Sequence, residues 1–283
     1  MKTLKITEIG KSANLKKYDF WNEVLAQSDF KIEPRAVELS DLAKLKIICD
    51  EAKKNSDLIR FDKDLWGWVP TLTTHEPTAV SYGQSADGMA KDGNFWLPRD
   101  MVSVALKSLA VSRFKSLSYK GNALIVGCNG PARIAAQTAA AWGFKKISFV
   151  PETGEDMNFW IEEFRAHFFG LELNIIDPQT VTLQPGNTSL LINTLEHKDF
   201  PDVLTDIYYF NFLRKEGAVI DMVPSAAPTQ LIQESKRIGV NVVEGHEISF
   251  QEDQNWFLRF KPDLRLEKEK LPELLEKYRS LLS

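Results

Sequence analysis

A short apolar run, ALIV at 123–126, passes through a glycine turn, GCNGPAR at 127–133, into an alanine-rich stretch, IAAQTAAAWG at 134–143. Strand, tight turn and helix is the reading that fits all three pieces. A strand without charge suits a parallel sheet covered on both faces, and parallel strands need crossover connections, usually helical. The same alternation continues downstream. KISFV (146–150), LELNIID (171–177), SLLINT (189–194), AVIDMV (218–223) and VNVVEG (240–245) read as strands, with helices over 131–142, 156–168 and 229–239. Residues 106–245 are therefore expected to form a Rossmann-type, doubly wound parallel sheet.

The chain before this block reads as a second, smaller α/β unit over residues 1–105. LKITEIG (4–10), RAVEL (35–39) and DLIRF (57–61) look extended, and 16–27 and 40–55 carry helical spacing, with Ser40 as the N-cap of the latter. Residues 66–100 hold several Trp, Pro and Gly without a clear period, and 99–114 reads as a helix leaving the first unit. Helices within 246–283 are expected to return to it. The fold class is thus α/β, an N-terminal βαβ substrate-type domain followed by a Rossmann-type domain.

Charge and cysteine content narrow the partners. A net charge of −4, with no basic cluster interleaved with aromatics, gives no footprint for nucleic acid. No stretch approaches 18 apolar residues and MKTLKITEIGK lacks an apolar export segment, so neither membrane nor secretion is expected. Cys49 and Cys128 read as reduced thiols, and a cytoplasmic location follows as the expectation.

A dinucleotide cradle wants G-x-G-x-x-G/A between strand and helix. Gly127 supplies the first position and Ala132 the third, with Gly130 and Arg133 in the same turn. Asn129 stands at the second, where it accepts positive φ better than most residues. Pro131 suits a first helical turn but removes one phosphate donor. After the next strand, Glu152 and Thr153 lie where a carboxylate would accept from a ribose 2′-hydroxyl and repel a 2′-phosphate, which favours NAD over NADP. A retained fold without a ligand is the alternative reading of the loop.

The chain as a whole resembles the shikimate dehydrogenase family, strongly diverged. GCNGPAR stands where that family has G-A-G-G-A-[AS]-[RK], SLLINT resembles its I-N-[AT] strand, and 218–247 resembles its D-x-x-Y, T-x-L-L-x-x-A and G-x-x-M region. IGKSANLKK (9–17) stands at its serine motif, which holds the substrate carboxylate, with Ser12 matching the first serine and Asn14 replacing the second. DLIRFDK (57–63) stands at N-V-T-x-P-x-K and KDGNFWLPRD (91–100) at D-G-x-x-x-G-x-N-T-D. The resemblance thereby puts Lys63 and Asp100 on the catalytic lysine and aspartate, 37 residues apart.

Other positions depart from the family. Asp57, Ile59, Ala86 and Pro224 replace polar groups, Arg99 replaces the Thr beside the aspartate, and the late Gln falls at Glu252 or its neighbour Gln251. Arg99 is a candidate to anchor a carboxylate or phosphate, and Gln251 to contact substrate. Glu152 stands where the family's phosphate-reading Arg would be. The resemblance implies an NAD(P)-dependent oxidoreductase with altered specificity, acting on a small or cyclic hydroxy acid, Lys63 moving the proton and Asp100 as its partner. The alternative is a catalytically inactive relative with a ligand-binding, regulatory or protein-interaction role. The sequence leaves a protein partner or a homodimer open.

Overall fold

The computed structural model describes residues 2–11, 14–75, 77, 80, 83–152, 158–196 and 201–282. Strands β1 (Lys2–Gly10), β2 (Phe30–Glu38) and β3 (Leu58–Phe61) run parallel, and β4 (Gly88–Asp92) and β5 (Phe95–Arg99) complete the sheet as an antiparallel hairpin, in the order β2-β1-β3-β4-β5. Helices α1 (Lys16–Val24) and α2 (Leu45–Asn55) make the crossovers. Because β1 is followed by β2 on one side and β3 lies on its other side, the carboxyl ends of β1 and β3 flank a topological switch point, where α/β sheets bind ligands.

The hairpin occupies the stretch that shows no period in the sequence. Its two-residue turn places Gly93 at φ +59, a conformation that glycine adopts without cost. Proline is tolerated in strands at a sheet edge. Pro34 and Pro98 both sit in edge strands, β2 and β5. The second helix of the domain is also corrected at its start. It opens with a 3-10 turn, Leu42–Lys44, whose cap is Asp41 rather than Ser40: the Asp41 carboxylate accepts from Ala43 N.

Helix α3 (Met101–Arg113) leads into the second sheet, formed by β6 (Asn122–Val126), β7 (Lys146–Val150), β8 (Glu172–Ile175), β9 (Thr188–Asn193), β10 (Leu213–Asp221) and β11 (Asn241–Val243). All its pairings are parallel, in the order β11-β10-β9-β6-β7-β8. Renumbered from β6, that is the 3-2-1-4-5-6 order of a Rossmann sheet. Helix α4 (Gly130–Trp142) follows β6 and ends on Gly143 at φ +106, a left-handed C-cap. Helices α5 (Asn158–His167), α6 (Pro201–Ile207) and α7 (Gln230–Arg237) belong to the same unit.

Helix α8 (Gly245–Phe260) begins with a capping box between Glu244 and Glu247, and α9 (Leu271–Arg279) ends the fold. Phe250, Trp256 and Phe257 of α8 and Tyr278 of α9 share one core with Leu4, Tyr18, Phe20 and Trp21 of the first sheet and its helix. A second core runs without interruption from Ile59 and Met89 through Val102 and Leu106 to Ile125 and Ile192. The two sheets are thus joined by buried apolar contact, which fixes the geometry of the cleft between them. Among the described residues, no helix is long and apolar enough to cross a membrane.

Candidate active site

Lys63 follows β3 directly and opens a 3-10 helix, Lys63–Leu72. Its ammonium crosses the cleft and donates to the Met222 carbonyl, 2.6 Å away, just beyond β10. The carboxyl ends of the two sheets meet through this bond. Burial pushes the Lys63 ammonium down to about 8, against the opposing charges of Asp221, Glu196 and Glu252. Asp221 is held by Asn193 and Thr229, which donate to its two oxygens at 3.0 and 2.5 Å, and burial raises its carboxyl above the usual range.

Lys63 and Trp66 line a cavity of about 180 Å³ at the switch point of the first sheet, with Asn14, Arg60, Glu252 and Asp253 among the other walls. A buried ionic network fills one side. Arg60, on β3, donates to both Glu252 and Asp253 of α8 and lies 4.0 Å from Glu8 of β1. Asp253 also accepts from Trp21 Nε1 at 2.9 Å and from the Tyr278 hydroxyl at 2.7 Å. Glu8 accepts from Tyr18 and pairs with Lys17 at 2.5 Å. Burial raises the Glu252 carboxyl despite Arg60. For Asp253 burial acts in the same direction, but the charges of Arg60 and Lys17 outweigh it and hold the carboxyl low.

Asp100 is the N-cap of α3, its Oδ1 accepting from Ser103 N at 2.8 Å. Its bond therefore runs to its own helix, while Lys63 bonds to Met222; the structure does not join the two as an ion pair. Beside it lies Asp87, a residue that the sequence reading passed over. Its Oδ2 accepts from Met101 N and Val102 N at 2.9 and 2.8 Å. The remaining oxygens, Asp87 Oδ1 and Asp100 Oδ2, are buried without a hydrogen-bond partner among the described residues. Burial raises both carboxyls, Asp100 to about 6, and the mutual repulsion adds to the rise in Asp87. The signal for Asp87 is slight: a single acid before Gly88, one position after the Ala86 that the resemblance matches to an Asn.

The remaining candidates divide. Asn14 is at the cavity, but its amide donates to the Leu281 carbonyl at 2.9 Å. Glu252 lines the cavity, whereas the Gln251 amide bonds to Gln254 and Asn255 on its own helix. Arg99 turns to Asp92 of the hairpin, 3.5 Å away. Ser12 and Thr153 lie outside the described residues.

At the glycine loop, Gly127 has φ +110, and a Cβ there would sit 2.3 Å from Thr194 Oγ1. Gly127→Ala is expected to destabilise the fold by about 2–4 kcal/mol, from backbone strain plus the clash. A urea-unfolding loss below about 1 kcal/mol would show that the loop relaxes around the methyl group.

Asn129 needs no positive φ. It is extended (φ −80, ψ −175) and serves as the N-cap of α4, its side chain accepting from Ala132 N at 3.0 Å. A Cβ on Gly130 would meet Gly67 N and Trp66 Cβ, both at 2.8 Å, and the Gly130 carbonyl accepts from Ser85 at 3.0 Å. The loop is thus pressed against the 3-10 helix that carries Lys63. Arg133 pairs with Glu163 at 3.5 Å, and Glu152 is half-buried just past β7. The strand, the left-handed Gly127 and the helix N-terminus aimed at the cleft fit a dinucleotide pyrophosphate; the Asn129 cap takes one helix donor away from it.

No family model matches the chain. A stretch of 131 residues is 30% identical to the shikimate dehydrogenase (NADP(+)) of Geobacter sulfurreducens, and covers 43% of either chain, under half the length of that relative. Solved structures match over nearly the whole length. Shikimate 5-dehydrogenase of Thermus thermophilus, in complex with NADP(H) and shikimate, superposes with a TM-score of 0.74 at 15% identity, over 99% of this chain and 100% of that one. The Listeria monocytogenes enzyme, with shikimate and NAD, gives 0.76 at 15% identity over 96% of each. A shikimate 5-dehydrogenase-like protein gives 0.73 at 11% identity over 99% and 97%. In its fold throughout, and in its sequence over part of its length, the chain is similar to shikimate dehydrogenases.

Proposed function

We propose that the chain is a nicotinamide-dependent oxidoreductase that interconverts a secondary alcohol and a ketone, with Lys63 as the proton-transfer group. The observation that carries this reading is Lys63 itself, a half-buried lysine at a cavity between two sheets, with the burial of its amine bringing the pKa down to about 8. An amine in that range can take a proton from a hydroxyl or return one to a carbonyl near neutral pH. Gly127 and the backbone N–H groups of Asn129 and Gly130 would hold the pyrophosphate at the head of α4, with Ala132 and Arg133 in its first turn. Glu152, with Thr153 beside it, would accept from the ribose 2′-hydroxyl, which favours NAD over NADP. The nicotinamide, when bound, supplies or accepts the hydride. Asp100, whose Oδ2 is buried without a hydrogen-bond partner among the described residues, would be the partner of Lys63 that the family resemblance implies.

One observation favours the second reading, a catalytically inactive relative that binds a ligand or a partner. The head of α4 is partly satisfied by the Asn129 side chain, lacks an N–H at Pro131, and is covered by Trp66 and Gly67. Calorimetric titration with NAD and NADP, each in both redox states, separates the two. NAD is expected to bind at least about tenfold more tightly than NADP, a difference of about 1.4 kcal/mol. No heat from any of the four, on protein shown to be folded, would remove the oxidoreductase and leave the inactive relative.

A further inference from the structure

We infer that Asp87 and Asp100 hold one proton between them at the head of α3, so that Asp87 is a positioning residue that makes Asp100 half of a carboxyl–carboxylate pair rather than a free anion. The shared proton stands without any hydride chemistry; what it does for Asp100 as the partner of Lys63 rests on the proposed function. The β4–β5 hairpin brings the two acids together. Its last pairing is Gly88 with Arg99, and the next opposed positions are 87 and 100. Residues opposed in this way have Cβ atoms about 5 Å apart, and like charges there repel. The first turn of α3 then binds one oxygen of each. Asp87 Oδ2 accepts from Met101 N and Val102 N, and Asp100 Oδ1 accepts from Ser103 N.

The other two oxygens, Asp87 Oδ1 and Asp100 Oδ2, are buried and meet no donor among the described residues. The residues themselves are 1% and 9% exposed, so bulk water does not screen the pair. Nor do the surrounding charges neutralise it. Arg60 on β3 acts on Asp87 but is held by Glu252 and Asp253. Lys107 acts on Asp100 from the exposed side of α3, and Arg99 turns to Asp92. Glu252 on α8 adds negative charge beside both acids. A proton on either carboxyl gives the other a donor and removes one of two buried like charges. In the proposed chemistry, Asp100 can then give as well as accept a hydrogen bond at neutral pH.

NMR of the aspartate carboxyl carbons, on the isotopically labelled full chain titrated without cofactor or substrate, tests the pair. Sequential assignment identifies the two signals. They are expected to move together in two steps, the second displaced by about a hundredfold in proton concentration from an ordinary aspartate. Asp87→Asn and Asp100→Asn each supply a permanent donor in place of the proton and keep an acceptor for the helix. The carboxyl that remains should then ionise at least about tenfold more readily. Two separate titrations in the ordinary aspartate range would overturn the inference. So would a remaining carboxyl whose titration neither substitution alters, the result that two independent helix caps would give. The natural chain decides alone where a variant does not fold. Loss of the pair leaves the oxidoreductase reading standing, and an absence of dinucleotide binding leaves the pair standing, so the two fail separately.

Discussion

Replacing Arg60 by Met is expected to destabilise the protein by about 3–5 kcal/mol at neutral pH, because it leaves buried carboxylates without their counter-charge. Arg60 is 7% exposed, and its two partners, Glu252 and Asp253, are 6% and 0% exposed. An exposed pair such as Lys31 and Glu33, each about half exposed and 3.5 Å apart, is worth about 0–1 kcal/mol at most. Burial decides the difference. The loss should also depend on pH. In the natural chain the Asp253 carboxyl is held below its ordinary value, so its contribution is present above the unfolded pKa and is lost as pH falls through the folded one. In the variant the carboxyls are driven to protonate, and the gap between the two proteins should close in acid. Urea unfolding at pH 7.5 and at lower pH measures both effects. A loss under about 1 kcal/mol, unchanged by pH, would mean that the network is already a set of neutral hydrogen bonds.

This network marks the limit of what the sequence makes legible. The second sheet is readable because its strands are continuous apolar runs, such as ALIV and KISFV, each followed by a helix with its own stop signal, and right-handed crossovers leave little choice of order. Lys63 is singled out in the sequence only by the family resemblance of DLIRFDK. Arg60 is not, because its partners lie 192 and 193 residues away in sequence and such a pairing leaves no local trace. Asp87 is hidden for the same reason: its role depends on the backbone N–H groups of Met101 and Val102 after the hairpin returns the chain.

Other features were present in the residues but outweighed by a stronger signal. Asp100 before an apolar helix, and Asn129 before Gly-Pro-Ala, both obey the rules for an N-cap. The family motif draws attention to chemistry at the same two positions, and the capping role shows only with the structure. The β4–β5 hairpin is similar. Its Gly93-Asn94 turn is a hairpin signal, yet Phe95–Arg99 lacks alternation because it is a half-exposed edge strand with a proline.

Lys63→Met should move activity and stability in opposite directions. If Lys63 transfers the proton, turnover should fall by about 10²–10⁴-fold, the usual contribution of a positioned acid or base. The natural chain should then show alcohol oxidation rising with pH, half-maximal near 8 and levelling above it, as the amine loses its proton. Stability should follow the opposite logic. The folded pKa of about 8 lies below the roughly 10.4 of an unfolded lysine, so between those values the unfolded chain binds more protons than the folded one. Stability therefore rises with pH across that window, and below it the buried ammonium carries its full penalty. Removing it should raise stability at pH 7 by about 1–3 kcal/mol, and the melting point with it, before the lost bond to Met222 is subtracted, and the gain should shrink as pH approaches 10. A lysine kept only to tie β3 to β10 through that carbonyl would do the reverse: its loss would lower the melting point at every pH. Melting curves of the two proteins across pH 6–10 decide between these without a known substrate, and a destabilised variant would take away the observation on which the proposed chemistry stands.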